Sequence, residues 1–529
     1  MTTSLQQTVL PILAAFLLVI GSASAQCGGN GGAAVLNTSP QAIGTTVTVS
    51  LSGNAGAPFS IYLSGGLTTL LFPGFGTVCV DPLDPFFGEF VSGSIPAGGR
   101  YDLALPIPPD PALLSFVVYL QGVAVDGGHP SGLGLSRAVR VDFESPDAHT
   151  ALPPLLSPRA LAASAVAGDG RLLITGGGAG SLLAPSGTTT TEIFDSLTRT
   201  IVPGPLMGQE RAGHTATTLL DGRVLIAGGA DGSIGAVTAS CEIFDPVTDT
   251  ITPAAPMGTP RAAHTATLLA DGRVLVAGGT TTFQTSPTGS ILPILNGALN
   301  TAEIYDPVTG TWSPAAGTMS SKRMLFAAVR QPGGQVMMIA GVNGGTTVTI
   351  PFVGSFDLPT FTASCDFFDP STNTFSAAPS LGSARGGHSA ALHAGTGKTL
   401  VAGGIRITGF IPVPTIVSST RVFNGTSWSN GPSLPVGVAV PAMVPLADGR
   451  IHISGGAAGT LTTSSFNLYG VADSVTWDGG ASFTTKAPLL HPAASHVAAL
   501  LPDGQVFIAG GVDGTGVVVD GAGLYTPDP

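Results

Sequence analysis

The stretch Arg261-Ala-Ala-His-Thr-Ala-Thr-Leu-Leu-Ala-Asp-Gly-Arg-Val-Leu-Val-Ala-Gly-Gly279 contains two short apolar segments separated by an Asp-Gly pair. Asp-Gly at this place predicts an antiparallel hairpin closed by a two-residue type I′ turn, because both turn positions need a positive φ angle. The second segment is almost continuously apolar, which is typical of a strand covered on both faces. The diglycine at its end predicts a point where a side chain would collide with a neighbouring backbone.

Two further strands follow this hairpin. Glu303-Ile-Tyr305 has the length and composition of a third strand, and Thr311-Trp312 begins a fourth. Between them Asp306-Pro307-Val-Thr-Gly predicts a turn, because proline is favoured at the second turn position. One unit of the sequence therefore predicts a four-stranded antiparallel sheet.

The unit occurs seven times after residue 150, and a recurring unit of this length indicates a repeat architecture. Aligned on the diglycine, the copies fall at Gly176, Gly228, Gly278, Ala340, Gly403, Gly455 and Gly510, with spacings of 52, 50, 62, 63, 52 and 55 residues. Three copies depart from the pattern. Ala340-Gly341 replaces the diglycine in unit four, Asn424-Gly425 replaces Asp-Pro in unit five, and the third strand of unit six is obscure between Phe466 and Trp477.

The diglycine, the Asp-Gly hairpin, the Asp-Pro turn and the fourth-strand aromatic together resemble the Kelch repeat of β-propellers, in the bacterial secreted form similar to the central domain of galactose oxidase. The resemblance implies an all-β chain with a seven-bladed Kelch-type propeller. The last unit stops after its third strand at Leu524-Tyr525, whereas residues 150–159 resemble an orphan fourth strand. We therefore expect Thr150–Pro154 to complete the last blade and remove an open sheet edge.

Residues 1–25 predict an export signal. They carry no charged side chain, contain an apolar run at Val9–Ile20, and end with the small residues Ala23-Ser24-Ala25. The run is too short for a hydrocarbon core of about 30 Å. We expect a mature chain that begins near Gln26, has no further transmembrane segment, and is secreted, periplasmic or at the cell surface.

Residues 26–144 alternate β-type segments with Gly/Pro turns and predict a small N-terminal β-sandwich-like domain. The propeller domain is then expected at 145–529, with a linker at Ser145–His149. Cys27 and Cys79 both lie in the N-terminal region, and we predict a disulfide between them, as export allows. Cys241 and Cys365 occupy matching positions of two separate repeats and are predicted to be buried and unpaired.

The composition excludes several partners. The 19 Lys and Arg are outnumbered by 31 Asp and Glu, giving a net charge of −12, which argues against a nucleic acid or an anionic membrane. Apolar runs of four to eight residues exclude a bundle of membrane helices, although the mean hydropathy is +0.42. We expect a monomer.

The candidate binding residues are an arginine in the loop that enters each of five units and a histidine three positions after three of them. These are Arg159, Arg211, Arg261, Arg323, Arg385, His214, His264 and His388. One interpretation is a ring that receives a carboxylated or phosphorylated ligand. The alternative is that each arginine pairs between blades with the repeated acid, Glu192, Glu242, Glu303 or Asp366, or with backbone carbonyls, because repeated positions usually serve the packing of the repeat.

We predict neither a metal nor another cofactor. A galactose-oxidase-like copper site needs two tyrosines and two histidines, and the propeller has only Tyr305, Tyr469 and Tyr525, the first and last in a structural strand position. Asp231-Gly232, Asn343-Gly344 and Asp513-Gly514 suit turn formation better than calcium binding. His491 and His496 have no third ligand at a suitable spacing.

Three functions stay open on this sequence. The first is a secreted or cell-surface recognition or scaffold module that binds a protein or carbohydrate on the face with the long insertions, Thr280–Asn300 and Val342–Phe361. The second is a carbohydrate-acting enzyme, either a galactose-oxidase-like sugar oxidase or a mutarotase similar to the Kelch-type sialate enzymes. The third is a structural cell-surface component. A polar pocket with unpaired Arg, His and acid would favour the enzyme.

Overall fold

The computed structural model describes residues 35–38, 46–65, 67–72, 76–80, 87–106, 117–126, 133–142, 145–181, 184–185, 187–230, 236–286, 290–350, 354–409, 412–461 and 466–528. These residues form β-strands joined by turns, with one short helix, α1, at Leu292–Asn296. Within these ranges no helix has the length and hydrophobicity needed to cross a membrane. Residues 1–25 and Cys27 lie outside the described residues, so the predicted export signal and the Cys27–Cys79 disulfide stay predictions. The all-β prediction is confirmed.

Two antiparallel sheets face each other in the N-terminal region. Its strands are β1 Val35–Thr38, β2 Thr46–Ser52, β3 Pro58–Ser64, β4 Leu67–Phe72, β5 Gly76–Val80, β6 Gly88–Ser94, β7 Arg100–Pro106, β8 Val117–Val125 and β9 Leu133–Asp142. One sheet has the order β1-β2-β7 and the other β6-β3-β8-β9, while β4 and β5 form a hairpin. Val49 and Leu51 of the first sheet pack against Phe59, Ile61 and Leu120 of the second, as a sandwich requires.

The described residues from Ala148 onward include seven four-stranded sheets, the blades of the propeller. In chain order the strands are β10 Ala148–Ala151, β11 Ala163–Val166, β12 Leu172–Thr175, β13 Gly180–Ser181, β14 Ala184–Pro185, β15 Thr191–Asp195, β16 Thr200–Pro203, β17 Thr215–Thr218, β18 Val224–Ala227, β19 Cys241–Asp245, β20 Thr250–Ala254, β21 Thr265–Leu268, β22 Val274–Ala277, β23 Ala302–Asp306, β24 Thr311–Pro314, β25 Ala327–Arg330, β26 Val336–Ile350, β27 Gly354–Asp369, β28 Thr374–Ala378, β29 Ser389–His393, β30 Lys398–Ala402, β31 Ile405–Thr408, β32 Val413–Ile416, β33 Thr420–Phe423, β34 Trp428–Asn430, β35 Ala442–Pro445, β36 Ile451–Ser454, β37 Ala457–Leu461, β38 Phe466–Gly470, β39 Ser474–Trp477, β40 Thr484–Thr485, β41 Val497–Leu500, β42 Val506–Ala509 and β43 Ala522–Thr526. Blades 1 to 4 are β11-β12-β15-β16, β17-β18-β19-β20, β21-β22-β23-β24 and β25-β26-β27-β28, and blades 5 to 7 are β29-β30-β33-β34, β35-β36-β39-β40 and β41-β42-β43-β10.

Blade 3 has its four strands where the sequence predicts them, but its first turn differs from the prediction. The N–H of Leu269 donates to the carbonyl of Arg273 at 2.8 Å, and that of Gly272 donates to Leu269 at 3.2 Å. Gly272 has a φ of 88°, whereas Asp271 has no positive φ. The connection is therefore a three-residue loop with a left-handed glycine rather than a type I′ turn. The Asp271 carboxylate closes it by accepting the N–H of Arg273 at 3.1 Å.

The second strand of each blade lies in the core between neighbouring blades. In β22 all four residues are buried, as its continuous apolar sequence predicts. Val274 and Val276 pack against Leu225 of blade 2. Leu275 and Ala277 pack on the opposite side against blade 4. Each blade is therefore sandwiched between two others, which explains why a single repeat would not be stable alone.

The ring closes through the N-terminal strand of the propeller. β10 pairs with β43 in the register Ala148–Thr526 to Ala151–Gly523. The first strands of successive blades contact each other round the whole ring, including β41 with β11. The closing strand begins and ends earlier than the predicted Thr150–Pro154. Proline has no N–H to donate to a ladder, and Pro153 and Pro154 lie beyond the strand.

The connections between the second and third strands carry the large insertions. The predicted long loop of blade 4 is instead an extension of β26 and β27 into one hairpin, since its Thr/Val-rich sequence suits a strand. The insertion of blade 3 contains α1, whose Ile294 and Leu295 pack against Val342 of that hairpin. Two-stranded hairpins β13-β14, β31-β32 and β37-β38 extend blades 1, 5 and 6.

The obscure part of unit six contains two strands. β38 belongs to the accessory hairpin, and β39 is the third strand of the blade. Trp477 in β39 pairs with Ile451 and is fully buried, in the position that Tyr305 has in blade 3. A tryptophan thus occupies the third-strand aromatic position, although the surrounding consensus is lost.

Candidate functional site

Two positions of the repeat organise the loop face, which is the face formed by the second-to-third and fourth-to-first connections. The arginine position lies in the loop that enters each blade and is occupied by Arg159, Arg211, Arg261, Arg323, Arg385, Val438 and Ala493. The acid position lies on the third strand and is occupied by Glu192, Glu242, Glu303, Asp366, Arg421, Val475 and Gly523.

The arginine position also joins neighbouring blades through its backbone. The carbonyl of Arg261 accepts the N–H of Gly229 in blade 2 at 2.8 Å. A Cβ on Gly228 would lie 2.4 Å from that same carbonyl oxygen, and Gly228 has a φ of 65°. The diglycine is therefore required by the close approach of the next blade. In blade 4 the alanine Ala340 keeps the left-handed conformation, with a φ of 49°.

Both terminal amino groups of Arg261 in blade 3 have partners, whereas its buried Nε has none among the described residues. Its side chain is fully buried. Nη2 donates to Glu303 Oε1 at 2.9 Å, and Nη1 donates to the carbonyl oxygens of Gly278 and Thr301 at 3.0 Å each. The Glu303 carboxylate also accepts the backbone N–H of Gly258 at 2.5 Å. The charge of each partner is thus balanced by the other within one blade, and the prediction that these pairs join neighbouring blades is wrong.

Blades 1, 2 and 4 repeat this arrangement. The ion pairs are Arg159–Glu192 at 2.5 Å, Arg211–Glu242 at 2.9 Å, and Arg323–Asp366. The backbone N–H three residues before each arginine donates to the same carboxylate, from Leu156 at 2.9 Å, Gly208 at 2.6 Å and Ser320 at 3.1 Å. The structure therefore places four of the five candidate arginines in internal ion pairs. Their binding of a ligand stays a prediction.

Blade 5 keeps the arginine and lacks the acid. Arg385 is 1% exposed, and its Nη1 donates to the carbonyl oxygens of Gly403 at 2.9 Å and Ser419 at 2.8 Å. Its Nη2 donates to the hydroxyls of Ser383 and Ser419. Arg421 occupies the acid position. This exchange was not predicted, although it is visible when the third strands of the units are aligned.

The candidate histidines are buried beneath the arginine loops. His214 Nε2 lies 2.7 Å from Thr175 Oγ1, and His264 Nε2 lies 3.0 Å from Thr215 Oγ1 of the preceding blade. Burial lowers the pKa of His264 and of His388 to about 3, and it lowers the pKa of His214 well below its ordinary value. These buried rings are neutral near pH 7. The rings of His214 and His264 bridge neighbouring blades, whereas neither ring nitrogen of His388 has a hydrogen-bond partner among the described residues.

A collar of backbone surrounds the central axis on the loop face. Two residues after each arginine position, the chain adopts a positive φ, at Leu161, Gly213, Ala263, Leu325, Gly387, Val440 and Ser495. Successive members are joined by backbone hydrogen bonds, such as Ala263 N–H to the carbonyl of Gly213 at 2.8 Å and Gly387 N–H to that of Leu325 at 2.8 Å. The side chains of these seven residues are apolar or small, so the collar itself supplies neither the imidazole nor the phenol donors of a copper site. Sequence reasoning missed this collar, whose members share no residue type.

One of the three predicted turn residues, Asp513, has a structural role in the described part of the chain. Asp513 Oδ1 accepts the N–H groups of Thr515 and Val517, which accounts for its carboxylate by turn formation. The turn predicted at Asn343-Gly344 is wrong, because both residues lie within β26. Asp231 lies outside the described residues. Cys241 and Cys365 are buried free thiols, as predicted. Within the part of the chain that the structure describes, no three His, Cys, Asp or Glu side chains cluster as metal ligands would.

Comparison with known proteins agrees with this architecture. The model of the Kelch motif matches residues 261–319. A solved structure of YjhT is similar at 16% identity with a TM-score of 0.47, covering 64% of this chain and all of that one. A fungal alcohol oxidase of the AA5 family, solved with copper, is similar at 18% identity with a TM-score of 0.52, covering 72% of this chain and 76% of that one. No curated protein sequence matches the chain. The chain thus contains a Kelch-type β-propeller with a galactose-oxidase-like fold.

Proposed function

We propose that this protein is an exported or cell-surface recognition module that binds a protein or carbohydrate on its loop face. The proposal rests on where the insertions lie, because they are concentrated on the loop face. The described second-to-third connections of blades 1, 3, 4, 5 and 6 hold hairpins or a helix, whereas the opposite face has short turns such as Asp271-Gly272. Long connections on a rigid scaffold are where binding usually resides.

The carbohydrate-acting enzyme is the alternative, and the chemistry of the loop face supports it less well. Efficient general base catalysis uses a group with a pKa near the working pH. The pKa values of His264 and His388 lie about 3, far below that range. The collar residues of this chain do not fit the copper of the fungal oxidase, because they supply neither imidazole nor phenol groups. Fold similarity alone does not transfer an activity.

A glycan array with neutral and acidic oligosaccharides tests the proposal on the exported chain. We expect at least one glycan class to bind and its binding to be lost when residues 346–358 are replaced by an Asn-Gly turn, which removes the end of the β26–β27 hairpin. The matched control is Val308→Ser, because Val308 is 92% exposed on the opposite face. Binding that survives hairpin shortening but is lost in the control variant would contradict the proposed binding face.

A further inference from the structure

We propose that blade 5 carries a binding site for the carboxylate group of an external ligand, formed by Arg385, Arg406, Arg421 and the backbone N–H of Gly382. This inference rests on the proposed function for the role of the loop face and adds the chemical class of the group that the face binds. The four groups come from the loop entering the blade, the hairpin β31-β32 and the third strand β33.

The site is the place that an internal carboxylate fills in four other blades. In blade 3 that carboxylate accepts Arg261 Nη2 and the backbone N–H of Gly258, three residues before the arginine. The equivalent N–H in blade 5 belongs to Gly382, and its partner is the hydroxyl of Ser380 at 3.3 Å. Arg385 Nη2 donates to the hydroxyls of Ser383 and Ser419. Blade 5 therefore keeps the donors of the repeat's carboxylate cradle, with neutral hydroxyls in place of the carboxylate.

Two more arginines stand at this cradle. The side chain of Arg421 reaches Gly382, since a Cβ on that glycine would lie 3.3 Å from Arg421 Nη2. Arg406 follows Ile405, whose N–H and carbonyl both pair with Gly386, the residue after Arg385. Burial, together with the positive charges of Arg406 and Arg421, lowers the pKa of Arg385 to about 10. An added anion would relieve this repulsion.

No internal acid balances these charges. Among the described residues, no Asp or Glu forms an ion pair with Arg385, Arg406 or Arg421. Arg421 bonds Asn430 Oδ1 through Nη1, and its Nε has no partner in this part of the chain. A guanidinium matches a carboxylate in geometry. A carboxylate from a ligand therefore suits the place where blade 5 lacks an acid.

The other departures of the repeat show that the loss in blade 5 is selective. Blade 6 has Val438 and Val475 at the two positions, and blade 7 has Ala493 and Gly523, so both partners are replaced together. Packing within a blade is therefore satisfied either by a complete arginine–acid pair or by the absence of both members. Blade 5 alone has a buried arginine with a second arginine facing it. Gly382 is exposed, and Arg406 and Arg421 are only partly buried, which leaves the cradle open to solvent.

Calorimetric titration of the exported chain tests the site, with D-glucuronate and succinate as carboxylate probes and D-glucose as the neutral control. We expect either carboxylate to bind and glucose not to bind. The decisive variant is Arg421→Glu, which rebuilds the ion pair of blades 1 to 4. It should lower carboxylate affinity at least tenfold, with a melting temperature at or above that of the wild type.

The matched control is Arg330→Glu, which makes the same change of charge at an exposed residue on the opposite face. It should leave carboxylate binding unchanged. Failure of both carboxylates to bind at millimolar concentration, or equal binding by wild type and Arg421→Glu, would overturn the site. A glycan ligand that Arg421→Glu leaves unaffected would overturn it too while the recognition function stands. Glucuronate binding by a chain that binds no glycan on the array would support the site and contradict the proposed recognition of a glycan.

Discussion

Blades 3 and 5 hold their arginines in almost the same set of neutral acceptors and differ in the residue that faces the guanidinium. Arg261 and Arg385 both donate Nη1 to the first glycine of the diglycine and to a carbonyl before the third strand. In blade 3 a glutamate completes the set, and in blade 5 an arginine takes its place. The backbone carbonyls can therefore hold the buried cation without a carboxylate, and the missing acid leaves the positive charge of blade 5 unbalanced.

The largest expected effect on stability comes from breaking the Arg261–Glu303 ion pair. Arg261→Ala should lower the free energy of unfolding by about 3–5 kcal/mol, because it leaves the buried Glu303 uncompensated. Arg385→Ala strands no acid and should lower it by only about 1–3 kcal/mol, the penalty of unsatisfied buried carbonyls. Urea unfolding followed by tryptophan fluorescence measures both, since all three tryptophans lie in the propeller. Equal losses would contradict the comparison.

Replacing both partners should recover much of that loss. Blades 6 and 7 show that the fold accepts apolar or small residues at both positions together. We expect Arg261→Met with Glu303→Leu to be about 2 kcal/mol more stable than Arg261→Ala, because apolar residues of similar volume leave no stranded charge. The same urea titration tests this, with Glu303→Leu alone as the control. A double variant less stable than either single would refute the expectation.

The comparison extends to the histidine position, where blade 3 has His264 and blade 4 has Phe326. The pKa of His264 is lowered to about 3 by burial, so the unfolded chain binds a proton there below its ordinary pKa while the folded chain does not. The contribution of His264 to the free energy of unfolding is fully present above about pH 6.5 and is lost as the pH falls toward 3. Relative to His264→Phe, the wild type should lose about 2 kcal/mol between about pH 7.5 and pH 5. Parallel pH profiles for the two proteins would contradict this.

The smallest expected effect is a gain in stability. Arg421→Glu should raise the free energy of unfolding by about 1 kcal/mol, because it supplies the charge-assisted hydrogen bonds to Arg385 that blade 5 lacks. The urea titration at low salt detects it. A loss of stability would mean that blade 5 cannot take the geometry of blades 1 to 4.

Most of the propeller could be predicted from the sequence because its signals are local. Asp-Gly, the diglycine and the continuous apolar strand lie within about 20 residues of one another, and each acts through backbone φ or through burial of its own strand. The closing strand was predicted near its true place because the last unit visibly lacks a fourth strand. Its exact register was not, since register depends on pairing with β43, nearly 380 residues away.

The sequence by itself determined the all-β class, the number of repeats and the four strands of each regular blade, since those features follow from short-range turn chemistry and periodicity. Only the tertiary structure decided the turn type at Asp271-Gly272, the strands of unit six and the collar, because these depend on how neighbouring blades approach. It alone brought Arg406 to Arg385 and Arg421, through the fold of a hairpin between them in sequence. A charge cluster of this kind is a property of distances between elements, which residue spacing does not encode.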